Sequence, residues 1–203
     1  PLIVARLENA VRAVCQLPTG EVVADHPPPL AVYPGSFNPL HHGHQALAEA
    51  AGRRLGVEVH FELSIINADK PELPAEEVAR RVAQFRGVAP VWVTRAAAFE
   101  KKADLFPGAA FVLGFDTAVR LVDARYYSGD PGRRDAALRK LLARGCRVLV
   151  GGRVDAAGVF REWDGVGVAA EFAALFEPIP AFRVDVSSTA LRSGGGDRTE
   201  KVR

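Results

Sequence analysis

Apolar and polar positions along this chain of 203 residues keep two rhythms, one of period two and one of period near 3.6. At the start, Ile3, Leu7, Val11 and Val14 recur at helical spacing. Residues 18–29 then break the pattern with Pro-Thr-Gly and the run Pro27, Pro28, Pro29, which reads as a stiff linker. From residue 30 short apolar runs alternate with helical stretches. Strands are predicted at 30–33, 57–66, 91–94, 110–113, 147–150 and 182–186; in the second, Val57, Val59, Phe61, Leu63 and Ile65 alternate. Helices are predicted at 43–55, from Pro74 to about Phe85, from Asp116 to Val122, at 134–143, and briefly from Ser188 to Arg192. Pro74 and the acidic residues after it suit the first turn of a helix. Gly194 opens a polar tail.

Strands alternating with helices predict an α/β fold, a Rossmann-like parallel sheet with helices on both faces. The predicted organisation is an N-terminal helix and linker over 1–29, one catalytic-sized domain over 30–192, and a tail over 193–203. In such sheets ligands bind beyond the carboxyl ends of the strands. The loops at 34–43, 66–74, 114–116 and 187–188 all follow predicted strands, so they converge on one site.

Composition narrows the function. A net charge of +2 provides no broad basic field for nucleic acid. No apolar run reaches the roughly 20 residues that span a bilayer, and the first residues lack a secretory signal. The expectation is a soluble cytoplasmic protein acting on small molecules, with homo-oligomerisation and dimer contacts through residues 1–29 left open. Cys15 and Cys146 are far apart with no CxxC, which predicts neither a disulfide framework nor a zinc site. His60 reads as structural.

The chemistry concentrates in GSFNPLHHGH, residues 35–44. Gly35 permits a tight turn and close backbone approach. Pro39 stiffens the loop, and Gly43 lets backbone come near a bound group. The helix that follows offers amide donors and a positive dipole end to phosphate. His41 and His44 stand one helical turn apart, so both rings can meet one ligand. A metal site from His41, His42 and His44 is disfavoured, because no carboxylate or cysteine adjoins them; no metal ligand is assigned to any side chain. Near the other end, Ser187, Ser188 and Thr189 with Arg192 either cap a helix or form a second phosphate cradle.

GSFNPLHHGH matches the GxFxPxHxGH signature of the nucleotidylyltransferase superfamily, and residues 187–192 resemble its closing SSTxxR element. The resemblance covers residues 30–192. It implies transfer of a nucleotidyl group from a nucleoside triphosphate to a phosphorylated acceptor, with Mg²⁺ and release of pyrophosphate. It also implies roles. His41, His44 and Arg192 serve catalysis. Gly35, Ser36, Phe37, Asn38, Gly43, Ser187, Ser188 and Thr189 hold the nucleotide and its phosphates.

Within the superfamily the sequence looks most like the nicotinamide or nicotinate mononucleotide adenylyltransferases, enzymes of NAD biosynthesis. Asn38 and the Ser-Ser-Thr…Arg element carry that likeness, which implies ATP as donor. Cytidyl transfer, another acceptor, or a binding module without turnover are the alternatives. Lys70, Gly114 and Asp116 resemble acceptor-side elements; Asp116 reads equally as a helix cap and Lys70 as a loop lysine. The stacking aromatic is open among Trp92, Tyr126, Tyr127 and Trp163, and residues 151–181 have no clear counterpart. Arg80, Arg81, Arg133 and Arg134 read as solvated, and Lys101 and Lys102 read as solvated with facing the site as the alternative.

Overall fold

The structure, a computed structural model, describes residue 3 and residues 12–66, 71–154, 159–165 and 167–180. Its centre is an eight-stranded sheet. The core strands are β3 (Ala31–Pro34), β4 (His60–Ser64), β5 (Val91–Thr94), β6 (Ala110–Gly114), β7 (Arg147–Gly151) and β10 (Phe176–Ile179), all parallel to their neighbours. Two further strands, β1 (Ala13–Gln16) and β2 (Val22–Val23), extend the β5 edge in antiparallel fashion. The order is β10-β7-β6-β3-β4-β5-β1-β2. A separate two-stranded ribbon pairs β8 (Arg153–Val154) with β9 (Phe160–Arg161).

The parallel strands are joined by α1 (His42–Leu55), α2 (Ala75–Ala83), α3 (Phe99–Leu105), α4 (Phe115–Val122) and α5 (Pro131–Ala143). Period-two alternation sorts each strand's side chains to two faces. On one face Val91, Val93, Val112 and Leu149 pack with Leu47, Ala51, Val78 and Val82. On the other Trp92, Phe111, Leu113, Val148 and Val150 pack with Ala103, Leu121, Leu138 and Leu141. β4 breaks this symmetry. Phe61 and Leu63 join the first core, while its second face carries buried His60 and Glu62.

This is the expected α/β fold, a mostly parallel sheet with helices. Several elements differ from the sequence reading, among them β2 within the predicted linker and the β8–β9 ribbon. Ala13 and Val14 form a strand where their spacing predicted helix, because β5 offers an open edge to pair with. Residues 12–23 therefore belong to the sheet; residues 4–11 lie outside the described part. α3, at only 7 residues, is too short to show a period. β10 was hidden because its four residues include Pro178. The predicted strand at 182–186 and helix from Ser188 lie outside the described residues.

Candidate active site

The GSFNPLHHGH loop joins β3 to α1 at the carboxyl end of the sheet's central strands. The Gly35 amide donates to the Glu62 carbonyl at 2.9 Å, which holds the loop start against β4. A side chain at position 35 would bring its Cβ within 2.6 Å of the Phe37 ring, so the turn requires glycine. Phe37 has a positive φ of 44°. That backbone sends its ring into the core, 1% exposed, against Tyr33, Phe61 and Phe85. The Phe37 ring therefore anchors the loop in the core, and its main chain is the part of the residue that faces the loop.

His41 is the N-cap of α1, and His44 lies one turn in. Their rings stack, centroids 3.7 Å apart. The His41 amide donates to His44 Nδ1 at 3.3 Å. That nitrogen must then lack a proton, so neutral His44 carries its proton on Nε2. Burial and the neighbouring His41 lower the His44 pKa to about 4. Burial and His42 lower that of His41 in the same direction. At neutral pH both rings are uncharged hydrogen-bond partners at the positive end of a helix dipole. Ser36, Asn38 and buried Gly43 complete the loop.

Helix α2 clamps this loop, which the sequence reading missed. Gln84, just past its end, accepts from the Leu40 amide at 2.9 Å and donates to the Phe37 carbonyl at 3.0 Å. Arg81 donates to the Ser36 carbonyl at 3.0 Å and pairs with Glu77. Arg80 reaches Asn38 Oδ1 at 2.6 Å. Arg80 and Arg81 were read as solvated: Arg80 is exposed, as read, although it also reaches the loop, while the Arg81 side chain is largely covered against the loop beside Glu77, one helical turn away. The i,i+3 and i,i+4 spacing to Glu77 was visible in the sequence, but not the loop beneath it.

Beside the loop opens a cleft of about 630 Å³. Gly35 and Ser36 form one wall, β4 residues Glu62 and Ser64 the floor, and Phe99, Arg120, Tyr126 and Tyr127 the far side. In the floor Lys102 donates to both Glu62 oxygens at 2.7 Å and to the Ala96 carbonyl at 2.7 Å. Thr94 donates to Glu62 at 2.5 Å. Lys102 is 5% exposed and Glu62 1%. Lys102 was read as solvated, and that is corrected: α3 points it down through the sheet end to a charge that β4 buries.

The other acceptor-side expectations divide. Gly114 caps α4, with open space where a side chain would stand. Asp116 makes a short contact with Arg153 and does not cap the helix, because Gly114 holds that position. Of the aromatic candidates, Trp92 is core and Trp163 is buried on Phe176. Tyr126 and Tyr127 line the cleft. Tyr126 is 57% exposed, with the Arg120 guanidinium over its ring. Lys70, Ser187, Ser188, Thr189 and Arg192 lie outside the described residues. No helix among the described residues is long and apolar enough to cross a membrane.

A glycine turn after a central parallel strand, two stacked imidazoles at a helix start and an adjoining cleft make up a site suited to a phosphate-bearing ligand. The family model described as cytidylyltransferase-like matches residues 32–194, and the chain belongs to that family. Nucleotidyl transfer is the reaction class this membership supports. No curated protein matches the chain.

Proposed function

We propose that the protein transfers the adenylyl group of ATP to a mononucleotide acceptor, nicotinamide or nicotinate mononucleotide, releasing pyrophosphate. The observation that carries this reading is the stacked His41–His44 pair at the start of α1, opening beside a cleft large enough for a nucleotide. An acceptor phosphate oxygen attacks the α-phosphorus in line. The new P–O bond forms as the bond to the β-phosphate oxygen breaks, and its electron pair leaves with pyrophosphate. Neutral His44 directs Nε2–H toward the phosphates, and the first-turn amides of α1 add their dipoles. The work is positioning and charge stabilisation, with no covalent enzyme intermediate.

Mg²⁺ enters with ATP and neutralises phosphate charge when bound. The described cleft suits an ion carried by phosphates and water rather than by a protein cage: of its carboxylates, Glu62 is already held by Lys102 and Thr94, leaving Glu100 at the rim. Tyr126, exposed and in the cleft wall, is the aromatic surface on which a planar acceptor base stacks. Ser187, Ser188, Thr189 and Arg192 are proposed to hold the departing pyrophosphate, and Lys70, Gly114 and Asp116 to border the acceptor. The resemblance of GSFNP, with Asn38, supports ATP over CTP.

The test is chromatographic. Purified protein with Mg²⁺, ATP and either mononucleotide is assayed for dinucleotide and pyrophosphate, alongside CTP and a panel of other phosphorylated acceptors. Dinucleotide that vanishes in His44→Ala, with ATP binding largely kept, supports the reading. Turnover with CTP alone, or none with either mononucleotide, overturns it. Binding of ATP without turnover under every condition would mark a nucleotide-binding module instead.

A further inference from the structure

Away from the cleft, the second face of the sheet's β5 edge gathers Cys15, His26 and His60. Cys15 lies on β1, opposite Trp92 of β5. Trp92 in turn neighbours β4, where His60 stands two residues before Glu62. His26 follows β2 and packs beside both His60 and Trp92, ring centroids 5.6 and 5.7 Å away. One ligand atom from each of Cys15, His26 and His60 falls within 4.8 Å of the other two. Among the described residues this is the one such group. None of the three takes part in the chemistry proposed above.

We propose that Cys15, His26 and His60 bind a divalent transition-metal ion of the zinc type, which clips the chain before residue 30 onto the sheet.

The donor set is one sulfur and two imidazoles, the borderline-soft combination that suits zinc. Each histidine has a neighbour of the kind that orients metal ligands. His26 Nδ1 lies 2.9 Å from the Pro27 carbonyl. A carbonyl only accepts, so Nδ1 holds the proton and Nε2 keeps its lone pair for the ion. His60 has the Glu58 carboxylate 3.6 Å from Nε2. Its Nδ1 accepts the Trp92 indole N–H at 3.1 Å. The single lone pair of neutral His60 is thus occupied by Trp92. Ligation through Nδ1, or through Nε2 after a proton shift, ends that bond either way, so Trp92 reports binding. A tetrahedral site needs S–N and N–N separations of about 3.3–3.6 Å. Closing to that geometry asks about 1 Å of movement, which His26, on a segment between β2 and β3, can supply. Glu58, exposed at the rim, or a water completes the fourth position. Burial first, and the Glu58 charge second, push the empty Cys15 thiol up to about 12, so the ion must expel its proton.

The test uses the full chain stripped of metal by chelator and titrated with Co²⁺, then Zn²⁺. One equivalent of Co²⁺ should give tetrahedral d–d bands with a thiolate charge-transfer band, and one equivalent of Zn²⁺ should erase them. Cys15→Ser should lose the charge-transfer band, Cys146→Ser should keep it, and His26→Ala should weaken binding at least ~10-fold. The indole N–H resonance of Trp92 should shift while that of Trp163 stays. His26 is partly exposed, so its variant folds even if Cys15→Ser does not. No stoichiometric uptake by the wild-type chain overturns the proposal. So does uptake that survives in His26→Ala unchanged, which would place the ion elsewhere, on the loop histidines for example.

Discussion

Gln84 connects helix α2 to the Gly35–His44 loop through both ends of its amide, and replacing it by methionine isolates that link. Gln84→Met keeps the side-chain length and removes three hydrogen bonds, to the Leu40 amide, the Phe37 carbonyl and the Arg81 carbonyl. Arg81's carbonyl retains its other bond from the Gln84 amide, so two loop groups bear the loss. A net hydrogen bond contributes about 0.5–1.5 kcal/mol, and a stranded group sealed from water costs about 1–3 kcal/mol. These contacts are partly buried, so water recovers some of the loss, and the expected destabilisation is about 2 kcal/mol. For a chain of this size that lowers the melting midpoint by roughly 4–8 °C. The catalytic effect should exceed the folding effect under conditions where the variant stays folded. His41 follows Leu40 directly, and misplacing a reacting geometry by about 1 Å can cost ~100-fold. Urea unfolding gives the first quantity and pyrophosphate release the second. A Gln84→Met protein within about 0.5 kcal/mol of wild type and with unchanged kcat/KM would refute the claim that α2 holds the loop.

Two other outcomes are expected. Lys102→Met strands Glu62 in a buried site, and breaking such a pair costs about 3–5 kcal/mol; urea unfolding should show the double variant Glu62→Gln with Lys102→Met regaining part of that, since no charge is then left uncompensated. Stability should fall as pH drops from about 6.5 toward 4. His44 is held neutral in the fold, down to about 4, so the unfolded chain takes up its proton first across that window. The stabilisation is complete above the unfolded pKa and is lost as pH falls. After allowance for solvent screening it amounts to about 1–2 kcal/mol, and a His44→Asn protein measured by thermal melts should show a flatter profile.

Periodicity made most of the scaffold legible. The runs at 91–94, 110–113 and 147–150 are apolar on both faces, as strands covered twice by helices must be, and they appear as β5, β6 and β7. The loop was legible because its glycines, histidines and proline have few other reasons to occur together. What stayed hidden depends on contacts distant in sequence. Gln84 is an ordinary helix-end polar residue until a loop over 40 residues earlier comes to rest on it. Lys102 reads as solvated until β4 places Glu62 beneath it. Ala13 and Val14 fit a helical period as well as a strand, and only a vacant edge decides between them. The closing Ser187–Arg192 element was legible as a motif and lies outside the described residues.

The two antiparallel strands at the β5 side have a consequence for where this protein can be divided. The cytidylyltransferase-like match starts at residue 32, so a boundary drawn from the family alone would discard β1 and β2. β5 would then stand as an outer strand, with its apolar Val91–Thr94 backbone unpaired on one side and open to pairing with another molecule. Residues 12–23 act as a selvedge: they finish the weave of the sheet beyond β5, the outermost strand on that side within the matched span.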